Sequence, residues 1–121
     1  MELVYGYTQD YEDGVRDMPT LERRAIVKAI NGLGKAVLAD QESPPATLVQ
    51  PARLILKHQY TPTLGILPVS EETHVLLCYD YDCMNNEILV SLLAVTKSHE
   101  SKPRFFMLAK AIYGTLLISV E

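Results

Sequence analysis

The fold is decided by residues 88–104, which read ILVSLLAVTKSHESKPR. The first eight residues form a nearly continuous apolar run, which predicts a strand that is covered on both faces. The next seven, from Thr96 to Lys102, are polar and predict a cationic loop at the surface. Pro103 suits the first turn of a closing helix, whose apolar face would extend from Phe105 to Tyr113. This strand, loop and helix together are the best candidate for a functional site.

Two helical segments are predicted before this stretch. Residues 1–8 alternate weakly and predict a first strand, and the polar, acidic residues 9–18 predict a short helix. Thr20 suits the cap of a longer helix, whose apolar stripe would cover the core. Gly32 and Gly34 weaken that helix unless they allow it to pack closely against the sheet. The apolar stripe consists of Ile26, Ile30, Leu33 and Val37.

The middle of the chain predicts strands in hairpin succession. After a proline-containing loop at residues 43–45, strands are expected at residues 52–58, 64–69 and 73–81, and Asn85-Asn86 suits a tight turn. This order predicts an α+β fold in a single domain, residues 1–121: a mainly antiparallel sheet of four to five strands, with an N-terminal helical region and a closing C-terminal helix. The apolar tail, residues 115–120, would either add an edge strand or be covered by another chain.

The charges are distributed unevenly along the chain. The formal net charge is −4, which argues against indiscriminate binding to polyanions. Residues 1–22 hold six acids and one base, whereas residues 96–110 hold four bases and one acid. The acids between Asp10 and Asp17 form either a solvated face or a patch that binds a partner. No apolar run reaches the ~20 residues of a membrane-spanning helix, so we expect a soluble, cytoplasmic protein with no membrane association.

Few residues in the sequence suggest catalysis. Cys78 and Cys83 match neither a zinc nor a redox spacing, and no nucleotide-binding or hydrolase motif occurs, so neither a metal nor a cofactor is expected. His58 ends one predicted strand, His74 begins another and His99 lies in the cationic loop. Either these histidines converge on a phosphate and transfer protons, or they are surface residues without a chemical role.

Residues 92–104, followed by Leu108-Ala109-Lys110-Ala111, resemble the end of RelE/HigB-type toxins of bacterial toxin–antitoxin modules. Those proteins pass from a hydrophobic strand, through a lysine-rich loop that ends in proline, into a helix with an Ala-Lys pair. The predicted order of elements also resembles theirs. The resemblance implies a metal-independent mRNA endonuclease that works on the ribosome and is neutralised by a cognate antitoxin.

The resemblance also implies roles for individual residues. His74 or His99 would transfer protons, and Tyr113 occupies the place of a late aromatic or histidine side chain. In such chemistry a base activates the ribose 2′-hydroxyl, cations stabilise the pentavalent phosphate and an acid protonates the leaving oxygen. The residues that would bind the substrate phosphate are Lys57, Lys97, Lys102 and Arg104.

The chain departs from this family at two positions. Active members carry an arginine within a middle strand and another at the start of the next strand, whereas residues 64–69 contain no arginine and the second position is His74. His74 carries only a fractional charge at neutral pH. The alternative is a catalytically inactive protein of the same fold. It would bind a protein partner, or form a homo-oligomer, through its acidic segment or its apolar tail.

Overall fold

The computed structural model describes residues 1–57 and 61–114 and the backbone of residues 117–120. Its helices and strands follow the predicted order, and the α+β fold class is confirmed. The strands are β1 (Glu2–Tyr7), β2 (Val49–Leu56), β3 (Thr63–Pro68), β4 (Thr73–Asp82), β5 (Glu87–Lys97) and β6 (Leu117–Val120). The helices are α1 (Gln9–Arg16), α2 (Thr20–Ala39) and α3 (Ser101–Tyr113).

The strands form one sheet in the order β1-β5-β4-β3-β2-β6. Only the β1–β5 pair is parallel, and the other four pairs are antiparallel. The first part of the tail, residues 115 and 116, lies outside the described residues. The four residues that follow form β6 at the edge beside β2, so the sheet has one strand more than the four to five that we predicted.

β5 is an interior strand of the sheet and pairs with β1 on one side and with β4 on the other. Ile88, Val90 and Leu92 are buried on the face that α2 covers, and Leu93 and Ala94 are buried on the face that α3 covers. Two consecutive residues share the second face because the β4–β5 register shifts by one residue at this point. The predicted burial on both faces therefore holds only in the second half of the strand, because Leu89 in the first half is 37% exposed.

α2 covers one face of the sheet with an apolar row, as its periodicity predicts. Pro19 occupies the N-cap position instead of Thr20, and no side chain caps this end of the helix. The two glycines differ. A Cβ at Gly34 would collide with Leu3 and with the hydroxyl of Tyr5, whereas a Cβ at Gly32 would meet no atom within 4 Å. Only Gly34 therefore serves close packing against the sheet. The buried row is Ile26, Ile30, Leu33 and Val37.

The predicted cationic loop is largely absent. β5 continues to Lys97, which pairs with Thr73, and a single 3₁₀ turn, Ser98–Glu100, leads directly into α3 at Ser101. The Ser98 N–H donates to the Glu72 carbonyl at 2.8 Å, which extends the strand pairing beyond the apolar run. The sequence-based prediction of a loop was wrong here because polar side chains do not prevent a backbone from completing a strand and a helix.

The predicted turn at Asn85-Asn86 is present. Asn86 adopts a positive φ of 53°, and the Asp82 carboxylate accepts hydrogen bonds from the backbone N–H groups of Met84 and Asn85. Among the described residues, no helix has the length and apolar character needed to cross a membrane.

Candidate functional site

A cleft of about 660 Å³ opens at the end of β5, between the start of α2, the β3–β4 turn and the start of α3. We call it the β5-end cleft. Lys97, His99 and Arg104 line it, as the predicted phosphate site requires. Three carboxylates also line it, so with neutral histidine its formal charge is slightly negative. These carboxylates belong to Glu22, Glu72 and Glu100.

Arg104 is already engaged with a carboxylate. Its guanidinium donates to the Asp10 carboxylate of α1 at 2.7 Å, and both side chains remain partly exposed. This contact joins the first helix to the last, across most of the chain length. A phosphate that binds Arg104 must therefore compete with Asp10 for the guanidinium.

Three other predicted residues lie on the surface near this end of the sheet. Lys97 is exposed at the end of β5, and Lys102 is exposed in the first turn of α3. His99 is also exposed, and its Nε2 lies 3.6 Å from a Glu100 carboxylate oxygen. His99 and Lys97 are therefore the predicted side chains that a ligand in the cleft reaches most easily.

His74 is held in a small polar network beside the cleft. The Ser101 hydroxyl donates its single proton to the Ser98 carbonyl at 2.9 Å, so it accepts from His74 Nδ1–H at 3.0 Å. This arrangement leaves Nε2 of His74 as a proton acceptor. Burial lowers the pKa of His74, because it disfavours the charged imidazolium form.

His74 lies on β4, the strand next to the part of β5 that lines the cleft. His74 pairs across the sheet with Thr96, which lines the cleft, but His74 itself does not line it. The Thr96 hydroxyl is buried and has no hydrogen-bond partner among the described residues. His58, the third histidine, lies outside the described residues.

Tyr113 and Lys57 lie elsewhere. The Tyr113 hydroxyl is 3.1 Å from the buried Cys78 Sγ, and burial raises the pKa of Tyr113 far above neutral pH. The register joins Arg53 of β2 to Tyr79 of β4 by way of β3. Tyr79 is about 20 Å of strand away from the cleft end of β4, and Lys57 lies further still in the same direction. One phosphate cannot contact both Lys57 and Lys97.

The outer face of α2 carries a cluster of bases that our sequence analysis did not identify. A shallow groove runs along this face beside Val27 and Gly32, and no acid lines it. None of the bases forms an ion pair within the described part of the chain. We call these four residues the α2 basic face: Arg23, Arg24, Lys28 and Lys35.

A sequence signal for the α2 basic face exists. Arg24, Lys28 and Lys35 recur at helical spacing, opposite the apolar stripe, so they share one face. The apolar stripe predicts only that this helix covers the core. The basic residues on the opposite side of the helix predict a positively charged surface.

Metal ligands are not grouped in the described structure: no cluster of three or more His, Cys, Asp or Glu side chains is arranged to hold an ion there. Cys78 is buried and Cys83 is exposed, and both are free thiols.

Comparison of this chain with protein-family models, with curated proteins and with solved structures found no match.

Proposed function

We propose that this chain is an RNA-binding protein of RelE/HigB-like architecture. In this proposal the β5-end cleft receives a phosphodiester, and the α2 basic face binds the neighbouring stretch of backbone. The proposed activity belongs in the cytoplasm, where mRNA is translated on ribosomes. A cognate antitoxin would be the expected protein partner, encoded by a neighbouring reading frame.

The observation that carries the proposal is the continuity of the two surfaces. Glu22 lines the cleft and Arg23, the next residue, lines the groove of the α2 basic face. From Arg23 to Lys35 the helix extends for about 18 Å, so bases are spaced along a path rather than gathered at one point. Phosphate contacts along such a path supply affinity without reading sequence.

Within the cleft, His99 is better placed than His74 to transfer a proton, because its ring is exposed there. Cleavage would require a base to remove the 2′-hydroxyl proton while the 2′-oxygen attacks phosphorus. The 5′-oxygen would leave with a proton from an acid, producing a 2′,3′-cyclic phosphate and a 5′-hydroxyl. Lys97, which forms no ion pair with any described residue, would stabilise the phosphorane.

A second candidate is binding without cleavage, in the manner of an inactive member of that family. The specific observation in its favour is the dispersal of the predicted site. Lys57 and Tyr113 lie away from the cleft, and Arg104 is paired with Asp10. Catalytic cations must meet around one phosphate, whereas binding tolerates cations that are spread along a surface.

RNA binding is tested by fluorescence anisotropy with a labelled single-stranded RNA at several salt concentrations. We expect the double variant Arg24→Glu/Lys28→Glu to bind at least tenfold more weakly and to lose about 0.7 in salt slope for each phosphate contact removed. The matched control, Arg53→Glu/Lys110→Glu, also replaces one arginine and one lysine, at exposed positions that line neither surface. It should bind within about twofold of the wild type. Absence of binding by the wild type at low salt, or equal losses in both variants, would refute the proposal.

Cleavage is tested separately by induced expression in a bacterial host and mapping of transcript 5′ ends. If the cleft cleaves RNA, the wild type arrests growth and creates new 5′ ends, and His99→Ala and Lys97→Ala abolish both. If the soluble wild type binds RNA but creates no new ends, binding without cleavage is the function.

A further inference from the structure

β1 is an edge strand whose outer side is unused in the protomer. Among the described residues it pairs only with β5, and this pairing has no register shift. Val4 and Tyr5 are each 39% exposed and Tyr7 is 63% exposed. Edge strands of monomers usually carry a lysine, a proline or a bulge that prevents further pairing. β1 has none of these, and its one charge is Glu2.

The backbone of β1 presents a symmetric set of hydrogen-bonding groups at this edge. The Glu2 N–H donates to the Asn86 carbonyl at 3.2 Å, and the Thr8 N–H donates to the Leu92 carbonyl at 3.1 Å. Because backbone groups alternate in direction along a strand, the even-numbered residues point towards β5. The N–H and C=O groups of residues 3, 5 and 7 therefore point away from the sheet, and they are centred on residue 5.

We propose that β1 pairs in antiparallel orientation with β1 of a second copy of this chain, about a twofold axis at Tyr5. Leu3 then lies opposite Tyr7 of the second copy, and the two Tyr5 residues lie opposite each other. Every outward backbone group of these three residues is satisfied, in about six hydrogen bonds. The pairing closes under twofold symmetry, so neither copy keeps a free β1 edge.

The side chains of β1 favour pairing with a second copy of the chain in the register centred on Tyr5. A Cβ at Gly6 would meet no atom within 4 Å, so packing within the protomer does not require glycine there. In the pairing about Tyr5, Gly6 lies opposite Val4 of the second copy, in a non-hydrogen-bonded pair where side chains approach most closely. The two Glu2 residues lie at opposite ends, each facing the uncharged Thr8. A nearly neutral, self-complementary edge suits a second copy better than a charged strand.

This pairing is independent of the proposed RNA binding. β1 lies along residues 87–92 of β5, whereas residues 95–97 of β5 line the cleft. Loss of either property would therefore leave the other unchanged.

The test is light scattering of the full chain over a concentration series that reaches hundreds of micromolar. We expect the wild type to approach twice the chain mass of 13.6 kDa and Val4→Lys to remain a monomer. Val49→Lys is the matched control, because Val49 is similarly exposed, at 41%, and pairs with Ile66 of β3 in the half of the sheet away from β1. It should dimerise like the wild type, and circular dichroism verifies that all three are folded. A monomeric wild type, or a dimeric Val4→Lys, would overturn the proposal.

The register is tested by cross-linking, in a Cys83→Ser background. The double variant Val4→Cys/Gly6→Cys should form a covalent dimer when treated with oxidised glutathione, because opposite Cα atoms in such a pair are about 4.5 Å apart. Positions 4 and 6 of one strand are about 6.6 Å apart, too far for the Cβ spacing of a disulfide within one chain. Val4→Cys alone should not cross-link efficiently. A double variant that dimerises but does not cross-link would exclude the register about Tyr5.

Discussion

The two faces of the sheet are covered in different ways. α2 covers one face with apolar side chains alone, of which Ile26, Leu33 and Val37 are almost fully buried. The shorter α3 covers the other face. It buries Phe105, and it also makes polar contacts at both ends, from Ser101 to His74 and from Tyr113 to Cys78.

This difference explains where functional groups can lie. Apolar packing has no directional requirement, so α2 is held by burial alone and its outer face is free to carry bases. The polar contacts of α3 are directional, and they use His74 and Tyr113 to position the helix. Two of the three residues that we predicted to be catalytic therefore also have structural roles.

The largest expected effect is on the α2 face. Leu33→Ala should lower the free energy of unfolding by about 2–5 kcal/mol, because it removes a fully buried side chain and leaves a cavity. Val27→Ala, at an exposed position of the same helix, should change it by less than ~0.5 kcal/mol. Urea denaturation measures both values. Similar values for the two variants would mean that α2 is not held by burial.

The next effect is on the α3 face. Ser101→Ala should cost about 1–3 kcal/mol, because it leaves Nδ1 of His74 without its partner. The same substitution should cost less in a His74→Ala background, where no imidazole is left unsatisfied. Equal costs in the two backgrounds would show that the contact does not contribute to the stability of α3.

Thr96→Val should stabilise the protein by about 1 kcal/mol, because it preserves the shape of the side chain and removes a buried hydroxyl that has no partner in the described part of the chain. Thr96→Ser retains the hydroxyl and should produce no gain. Thermal unfolding distinguishes the two variants. Destabilisation by valine would indicate that the hydroxyl is satisfied in solution.

The smallest effect is expected at the ion pair between α1 and α3. A double-mutant cycle with Asp10→Ala and Arg104→Ala should give a coupling energy of about 0.2–1 kcal/mol, because both side chains are partly exposed. The coupling should fall further in 1 M salt. A larger coupling energy that does not depend on salt would show that this ion pair contributes substantially to holding α1 and α3 together.

Much of the fold could be predicted from the sequence, because the main signals are local. The apolar run of β5, the three-to-four spacing of α2 and the Asn85-Asn86 turn each produce the expected element. The polar residues from Thr96 to Lys102 misled the prediction, because strand and helix boundaries there depend on pairing with β4. Lys97 pairs with Thr73, 24 positions earlier in the chain, and a contact over that separation leaves no local signal.

The candidate site was harder to predict, because it depends on distances between elements. Charge and proximity to the motif indicated Lys97, His99 and Arg104, and the fold brings these three to one cleft. The resemblance to the toxin family placed Lys57 with them. The β2 register instead carries Lys57 towards the other end of the sheet.

The sequence by itself determined the buried stripe of α2, most of the helix and strand segments, and the α+β class, because periodicity and turn residues act over a few positions. Only the tertiary structure decided which charges meet. It paired Arg104 with Asp10, engaged His74 with Ser101, and left the α2 basic face without ion pairs in the described chain. The reason is physical: hydrophobic burial follows from the local pattern, whereas an electrostatic contact requires two groups to lie within a few ångströms, and the path of the whole chain sets that distance.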